Sequence, residues 1–244
     1  TVITYRSSAQ YRGSGGEALN PNLSFALQTV EQIEYNDGNG VVWQNEFEYS
    51  GGWFYYNGPM DRRFVGFEKV VRVDAVGNKQ VTFYHQGNGS NVAYGEVSDD
   101  WSKAGKVYKS ELRDSQNNLF TQVINKWESS SMTGTRAFTK LSSTVSRTFD
   151  GNSSHKDSAS TYTYDDDTGN VLTGIDYGEV TAPTENGSFT DIGTDKVTSI
   201  ATYAVGSGAN PVTGLISGFI DKNQSNVKVK ESKTYYDNLP FGEV

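Results

Sequence analysis

The sequence predicts an all-β protein, an array of antiparallel hairpins with little or no helix. Three observations carry this. Val, Thr and Tyr number 60 of the 244 residues, whereas Ala, Leu and Met number 23; β-branched and aromatic side chains suit a pleated surface, and the straight-chain helix formers are scarce. Segments with period-two alternation recur along the chain. Between them stand short turns of Asp, Asn, Gly and Ser, residues that cap a turn or accept positive φ.

The hairpins follow in order. Residues 27–35 and 41–49 flank Asn36-Asp-Gly-Asn-Gly40. Residues 65–73 and 79–85 flank Asp74-Ala-Val-Gly77-Asn78, and 107–113 and 119–127 flank Asp114-Ser-Gln-Asn-Asn118. Residues 160–164 and 171–177 flank Asp165-Asp-Asp-Thr-Gly169-Asn170, and 212–220 and 227–235 flank Asp221-Lys-Asn-Gln-Ser-Asn226. Strands around an Asn/Asp/Gly centre are a strong hairpin signal. The Asp-to-Asn spacing reads as four at 74/78, 114/118 and 166/170 and five at 221/226. The 24–34 stretch has a helical alternative, which Thr29, Val30, Ile33 and Tyr35 oppose. Residues 86–103 and 178–195 read as loops. A Ser/Thr-rich patch at 129–135 suggests two regions, 1–128 and 129–244, or one continuous sheet.

Composition excludes several functions. No cysteine is present, so thiol catalysis, cysteine zinc sites and a disulfide framework are ruled out, while the compartment stays open. The net charge of −8 offers no basic stripe for nucleic acid. No apolar run reaches the roughly 18 residues of a membrane span. The sequence reads as a piece of a longer protein.

Two stretches carry a resemblance. The residues Phe47-Glu-Tyr-Ser-Gly-Gly-Trp53, Asp61-Arg62-Arg63-Phe64-Val-Gly66-Phe67, Val73-Asp74, Gly77-Asn78 and Phe83-Tyr-His-Gln86 resemble the middle region of the B component of insecticidal toxin complexes. The same region occurs in Salmonella virulence plasmid B-like proteins and in Rhs/YD-repeat proteins. The 234–243 segment is similar to the lead-in to a YD-repeat array, and Tyr164-Asp165 with Gly169-Asn170 matches the YD core. The resemblance implies a non-enzymatic segment of a large secreted or surface bacterial protein. It would form part of a β-sheet shell that encloses or displays a toxin, its main partner being the rest of the parent polypeptide. Self-cleaving shell segments of that family carry a paired Asp-Pro-x-Gly signature, and this sequence has no Asp-Pro.

The candidate sites are few. Asp61 is expected to close a turn with one arginine, while Phe64 and Phe67 anchor the core. Trp53, Tyr55 and Tyr56 are candidate ligand-binding rings, because aromatic faces stack on sugars. An adhesin or glycan-binding module, with a cell-surface glycan or protein as partner, is therefore the rival expectation, and a glycosidase the remote one. His85 reads as a hydrogen-bonded structural histidine and His155 as exposed. Asp99-Asp100 and Asp165-Asp166-Asp167 read as solvated turns rather than calcium ligands. No cofactor and no metal is expected.

Overall fold

The computed structural model describes residues 1–131, 137–204 and 213–236. The described chain is almost all β. Its strands are β1 (Val2–Ser7), β2 (Gln28–Asn36), β3 (Val42–Ser50), β4 (Trp53–Tyr56), β5 (Arg62–Gly66), β6 (Lys69–Val73), β7 (Lys79–Tyr84) and β8 (Val107–Arg113). They continue with β9 (Leu119–Ser131), β10 (Ala137–Thr148), β11 (Lys156–Tyr164), β12 (Val171–Thr181), β13 (Thr190–Asp191), β14 (Val197–Tyr203), β15 (Ile216–Lys222) and β16 (Lys228–Lys233). Three single-turn 3-10 helices, at Ser8–Gln10, Val92–Tyr94 and Trp101–Lys103, are the described helical content.

The strand order is β1-β2-β3-β6-β7-β8-β9-β10-β11-β12-β14-β15-β16, with β13 beside β12. Sequence neighbours are therefore spatial neighbours almost throughout. The exception is the β4–β5 hairpin, which pairs with itself and leaves β3 to pair with β6. The single strand expected over 65–73 is accordingly two, parted at Phe67-Glu68 after Gly66, whose φ is 103°. Residues 24–34 contribute to β2, not to a helix.

Four hairpin turns share one geometry. An Asp or Asn at position i donates its backbone N–H to the carbonyl of i+4 at 37/41, 74/78, 114/118 and 223/227, over 2.9–3.2 Å. Its side-chain Oδ1 accepts from the amides of i+2 and i+4: Asn39 and Val41, Val76 and Asn78, Gln116 and Asn118, Ser225 and Val227. Position i+3 has positive φ in every case, at Gly40, Gly77, Asn117 and Asn226. Gly or Asn stands there because other side chains pay a steric penalty in the left-handed region.

Two turns differ from expectation. The last hairpin is seeded by Asn223 rather than Asp221, whose carboxylate instead accepts from Ser199 Oγ at 2.7 Å. In the β11–β12 turn the cap is Asp165, which accepts from the Asp167 and Thr168 amides, and its backbone closes on Asn170. That loop is one residue longer, so the positive φ falls at Gly169. Asp166 is left to the Lys140 ammonium at 2.5 Å and the Ser130 hydroxyl at 3.1 Å.

The chain divides into two compact units, residues 1–124 with 147–155, and 125–146 with 156–244; β9 runs unbroken through residue 128. The first unit buries Val81, Phe83 and Tyr108, with Val71 and Tyr94 packed against them. The second buries Val145, Ala159, Val180 and Ala182 against Tyr177 and Phe189. Both cores are small. Much apolar surface stays in water, notably Ile3, Tyr35 and Trp43, which the β1–β2–β3 register puts on one face.

Asp74 tests the shared turn. Asp74→Ala removes three acceptor contacts and is expected to cost about 1–2 kcal/mol in urea unfolding, whereas Asp74→Asn, which keeps Oδ1, costs less. Equal midpoints for the alanine variant and the parent would contradict the assignment.

Candidate functional site

The structure spreads the sequence-predicted residues over separate hairpins. Asp74 and Asn78, Asp114 and Asn118 seed turns, and Gly77 supplies the positive φ of the first. Burial alone would raise the Asp74 carboxyl, yet the Asn78, Val76 and Gly77 hydrogen bonds outweigh it and hold it below the usual range. Asp114 is lowered chiefly by the Asn118 side chain. Tyr164 donates its hydroxyl to the Leu141 carbonyl at 3.0 Å and meets Phe138 edge-on at 6.0 Å. A Cβ on Gly169 would lie 3.4 Å from that same Phe138 ring. The turn is thus docked onto β10.

Around β4–β5 the aromatic residues part company. Asp61 accepts from Asn57 Nδ2 at 3.2 Å and from the Tyr55 hydroxyl at 3.3 Å, closing the 57–61 turn. Arg63 lies 3.8 Å from Asp61, with its guanidinium 4.8 Å from the centre of the Tyr55 ring. Arg62, one residue earlier on the strand, is exposed. Phe67 packs on Tyr49 at 5.0 Å and on Phe64 at 5.5 Å. Phe64 itself is 38 % exposed, so it is a rim residue rather than a core anchor. Tyr56 is exposed, whereas Trp53 faces a shallow hollow with Asn22, Glu68, Asn88 and Asn91.

The densest chemistry lies elsewhere. The 86–105 loop leaves the end of β7 and returns to β8 through a backbone clasp, His85 N to Lys106 O at 2.9 Å and Gly105 N to His85 O at 2.8 Å. The His85 side chain is 1 % exposed. Its Nδ1–H donates to Glu96 Oε1 at 2.6 Å, and Asp99 Oδ1 stands 3.3 Å from the same nitrogen. Burial pushes the imidazole down, but the Asp99 and Glu96 carboxylates beside it win and raise it. Asp99 is therefore no solvated turn residue: its side chain is fully buried. Its neighbour Asp100 is partly exposed and caps the Trp101–Lys103 turn through the Ser102 amide at 2.9 Å.

A second buried polar chain crosses β8, β9 and β10. Glu111 accepts from Gln122 Nε2 at 3.1 Å, and Arg147 Nη1 donates to Gln122 Oε1 at 2.8 Å. Arg113 closes on the other Glu111 oxygen at 2.8 Å. Arg147 also reaches His155 Nε2 at 2.9 Å, and the His155 ring lies 4.7 Å from Phe149, so this histidine is half-buried rather than simply exposed. Sequence reasoning missed this chain. The alternating polar positions of β8 and β9 were visible, but alternation does not say which face is inside.

This geometry defines a class: a long antiparallel β-meander with the toxin-complex-like fold. In particular, the chain is similar to a crystal structure of TcdB2-TccC3 without its hypervariable C-terminal region, at a TM-score of 0.66 and 17 % identity, covering 92 % of this chain and 14 % of that one. It is also similar to the crystal structure of TcdB2-TccC3-Cdc42, at a TM-score of 0.63 and 16 % identity, covering 92 % and 15 %. This chain thus spans about one-seventh of the solved chains it matches. No family model matches the sequence, and no curated protein does.

Gln122 is fully buried between opposite charges. Gln122→Leu takes one partner each from Glu111 and Arg147, which keep Arg113 and His155, and is expected to cost about 1–3 kcal/mol, the order of a buried polar group left short of a hydrogen bond. A thermal melt unchanged from the parent would show that the chain is not a structural element.

Proposed function

We propose that this chain is a non-enzymatic wall segment of a larger secreted or surface polypeptide of toxin-complex or Rhs type. Its work is mechanical: hairpins add strand by strand to a sheet that encloses or displays a toxin. The carrying observation is the meander itself. It follows a toxin-complex chain over 92 % of this sequence. Its outermost strands β1 and β16 each pair on one side among the described residues. A free edge is a template for another strand. Those edges also carry exposed apolar residues, Val2 and Ile3 on β1 and Val229 on β16, which suits burial by neighbouring parts of the same polypeptide.

Hydrogen exchange tests this. In the isolated chain the β1 and β16 amides are expected to exchange quickly. In the longer parent polypeptide they become protected, while the β7–β8 amides stay slow in both. Equal exchange of the edge strands in the two contexts would remove the wall reading.

A second reading, glycan binding, is favoured by one observation: Trp53 shares its hollow with a carboxylate and several amides, the mixture that stacks on and hydrogen-bonds to sugars. On a glycan array this reading expects binding that Trp53→Ala abolishes. An array with no binding, or binding indifferent to Trp53, excludes it.

A further inference from the structure

We propose that His85, Glu96 and Asp99 form a structural binding site for a divalent transition-metal ion, zinc by its donor chemistry, which locks the 86–105 loop onto the end of β7. One ligand atom from each of the three lies within 4.8 Å of the others. Tetrahedral zinc, with bonds of about 2.0–2.2 Å, holds its ligand atoms roughly 3.3 Å apart. The Nδ1 to Asp99 Oδ1 separation is already 3.3 Å, and the 2.6 Å to Glu96 Oε1 needs only a small opening.

Three further observations point to a cation rather than to a self-contained ion pair. First, Asp99 Oδ1 is buried and makes no well-aligned hydrogen bond: it faces the imidazole Nδ1 at 3.3 Å, whose N–H is given to Glu96. Such an orphan is costly. Second, the charges do not balance without it. Two carboxylates shut away from water face one imidazole, so a protonated ring matches one of them, while the nearby buried Lys103 ammonium is engaged by Ser98 and Asp100. A divalent ion with a neutral imidazole matches both. Third, the outer carboxylate oxygens are already held. Glu96 Oε2 accepts from the Asn91 amide at 2.6 Å and Asp99 Oδ2 from the Asn88 amide at 3.0 Å, which turns Oε1 and Oδ1 inward together. Metal ligands are commonly oriented by such outer hydrogen bonds.

One more buried polar group packs on the imidazole. Tyr108 on β8 lies tilted against the His85 ring, centroids 5.0 Å apart, and its buried hydroxyl has no hydrogen-bond partner. Water would complete the tetrahedron. The donor set is one nitrogen and two hard oxygens with no sulfur, which suits zinc above copper(I), while the imidazole disfavours calcium. Because one ligand stands at the end of β7 and two lie within the loop that follows, binding would act on local order.

The chain holds two histidines, which makes the test clean. The whole chain, stripped with EDTA, is titrated calorimetrically with zinc chloride alone, then with manganese and calcium. Nitrogen-15 spectra follow both imidazoles. The expected result is one equivalent of zinc, a shift of the His85 Nδ1 resonance with His155 unmoved, a higher melting temperature, and Asp99→Asn weakened by about tenfold or more. No zinc uptake, a shift confined to His155, a preference for calcium, or an Asp99→Asn variant that binds like the parent would each overturn the site. Should Asp99→Asn not fold, the histidine spectra of the unmodified chain decide alone.

Discussion

The rest of the structure depends on one small device, the side chain that folds back over its own turn. At residues 37, 74, 114 and 223 an Asp or Asn oxygen takes two amides that a tight reversal would otherwise leave to water, and the fourth position swings into the left-handed region. Each such turn fixes where one strand stops and the next begins. Side chains alternate across a strand, so a one-residue slip would turn every apolar group to the wrong face. The turns hold that alternation in place where the cores are too small to do so alone.

This device was legible in the sequence because it is local. Asp74 with Gly77 and Asn78, and Asp114 with Asn118, stand at the spacing their hydrogen bonds require, and the flanking alternation marks the strands. The errors were local too. A run of three aspartates does not say which of them caps, and the structure chose Asp165, which leaves Asp166 for Lys140. In the last hairpin Asp221 stands at the strand end, yet the cap is Asn223, two residues on.

What the sequence hid is long-range. Glu96 and Asp99 lie 11 and 14 residues from His85 in a stretch rich in Gly, Asn and Ser, where a carboxylate ordinarily meets water. The clasp between His85 and the 105–106 backbone, with the Asn88 and Asn91 amides, holds them under cover. The same holds for Gln122, whose burial follows from which face β8, β9 and β10 turn inward. Asn20 is a third case. It ties the Ser8 and Tyr49 carbonyls and the Gly52 amide together across residues far apart in the chain, and no spacing rule announces it.

The β4–β5 hairpin carries a lesson about how such a chain can change. It interrupts the order between β3 and β6, yet those two strands pair in uninterrupted register across it, from Glu46 opposite Val73 to Ser50 opposite Lys69. A whole hairpin has been accommodated without disturbing the pairing on either side. In a sheet where nearly every strand touches only its predecessor and successor, growth is modular. One extra hairpin within the order would widen it by about 9.5 Å, two strand spacings, and one placed like β4–β5 would widen it not at all. Length and ornament can therefore evolve separately in this architecture.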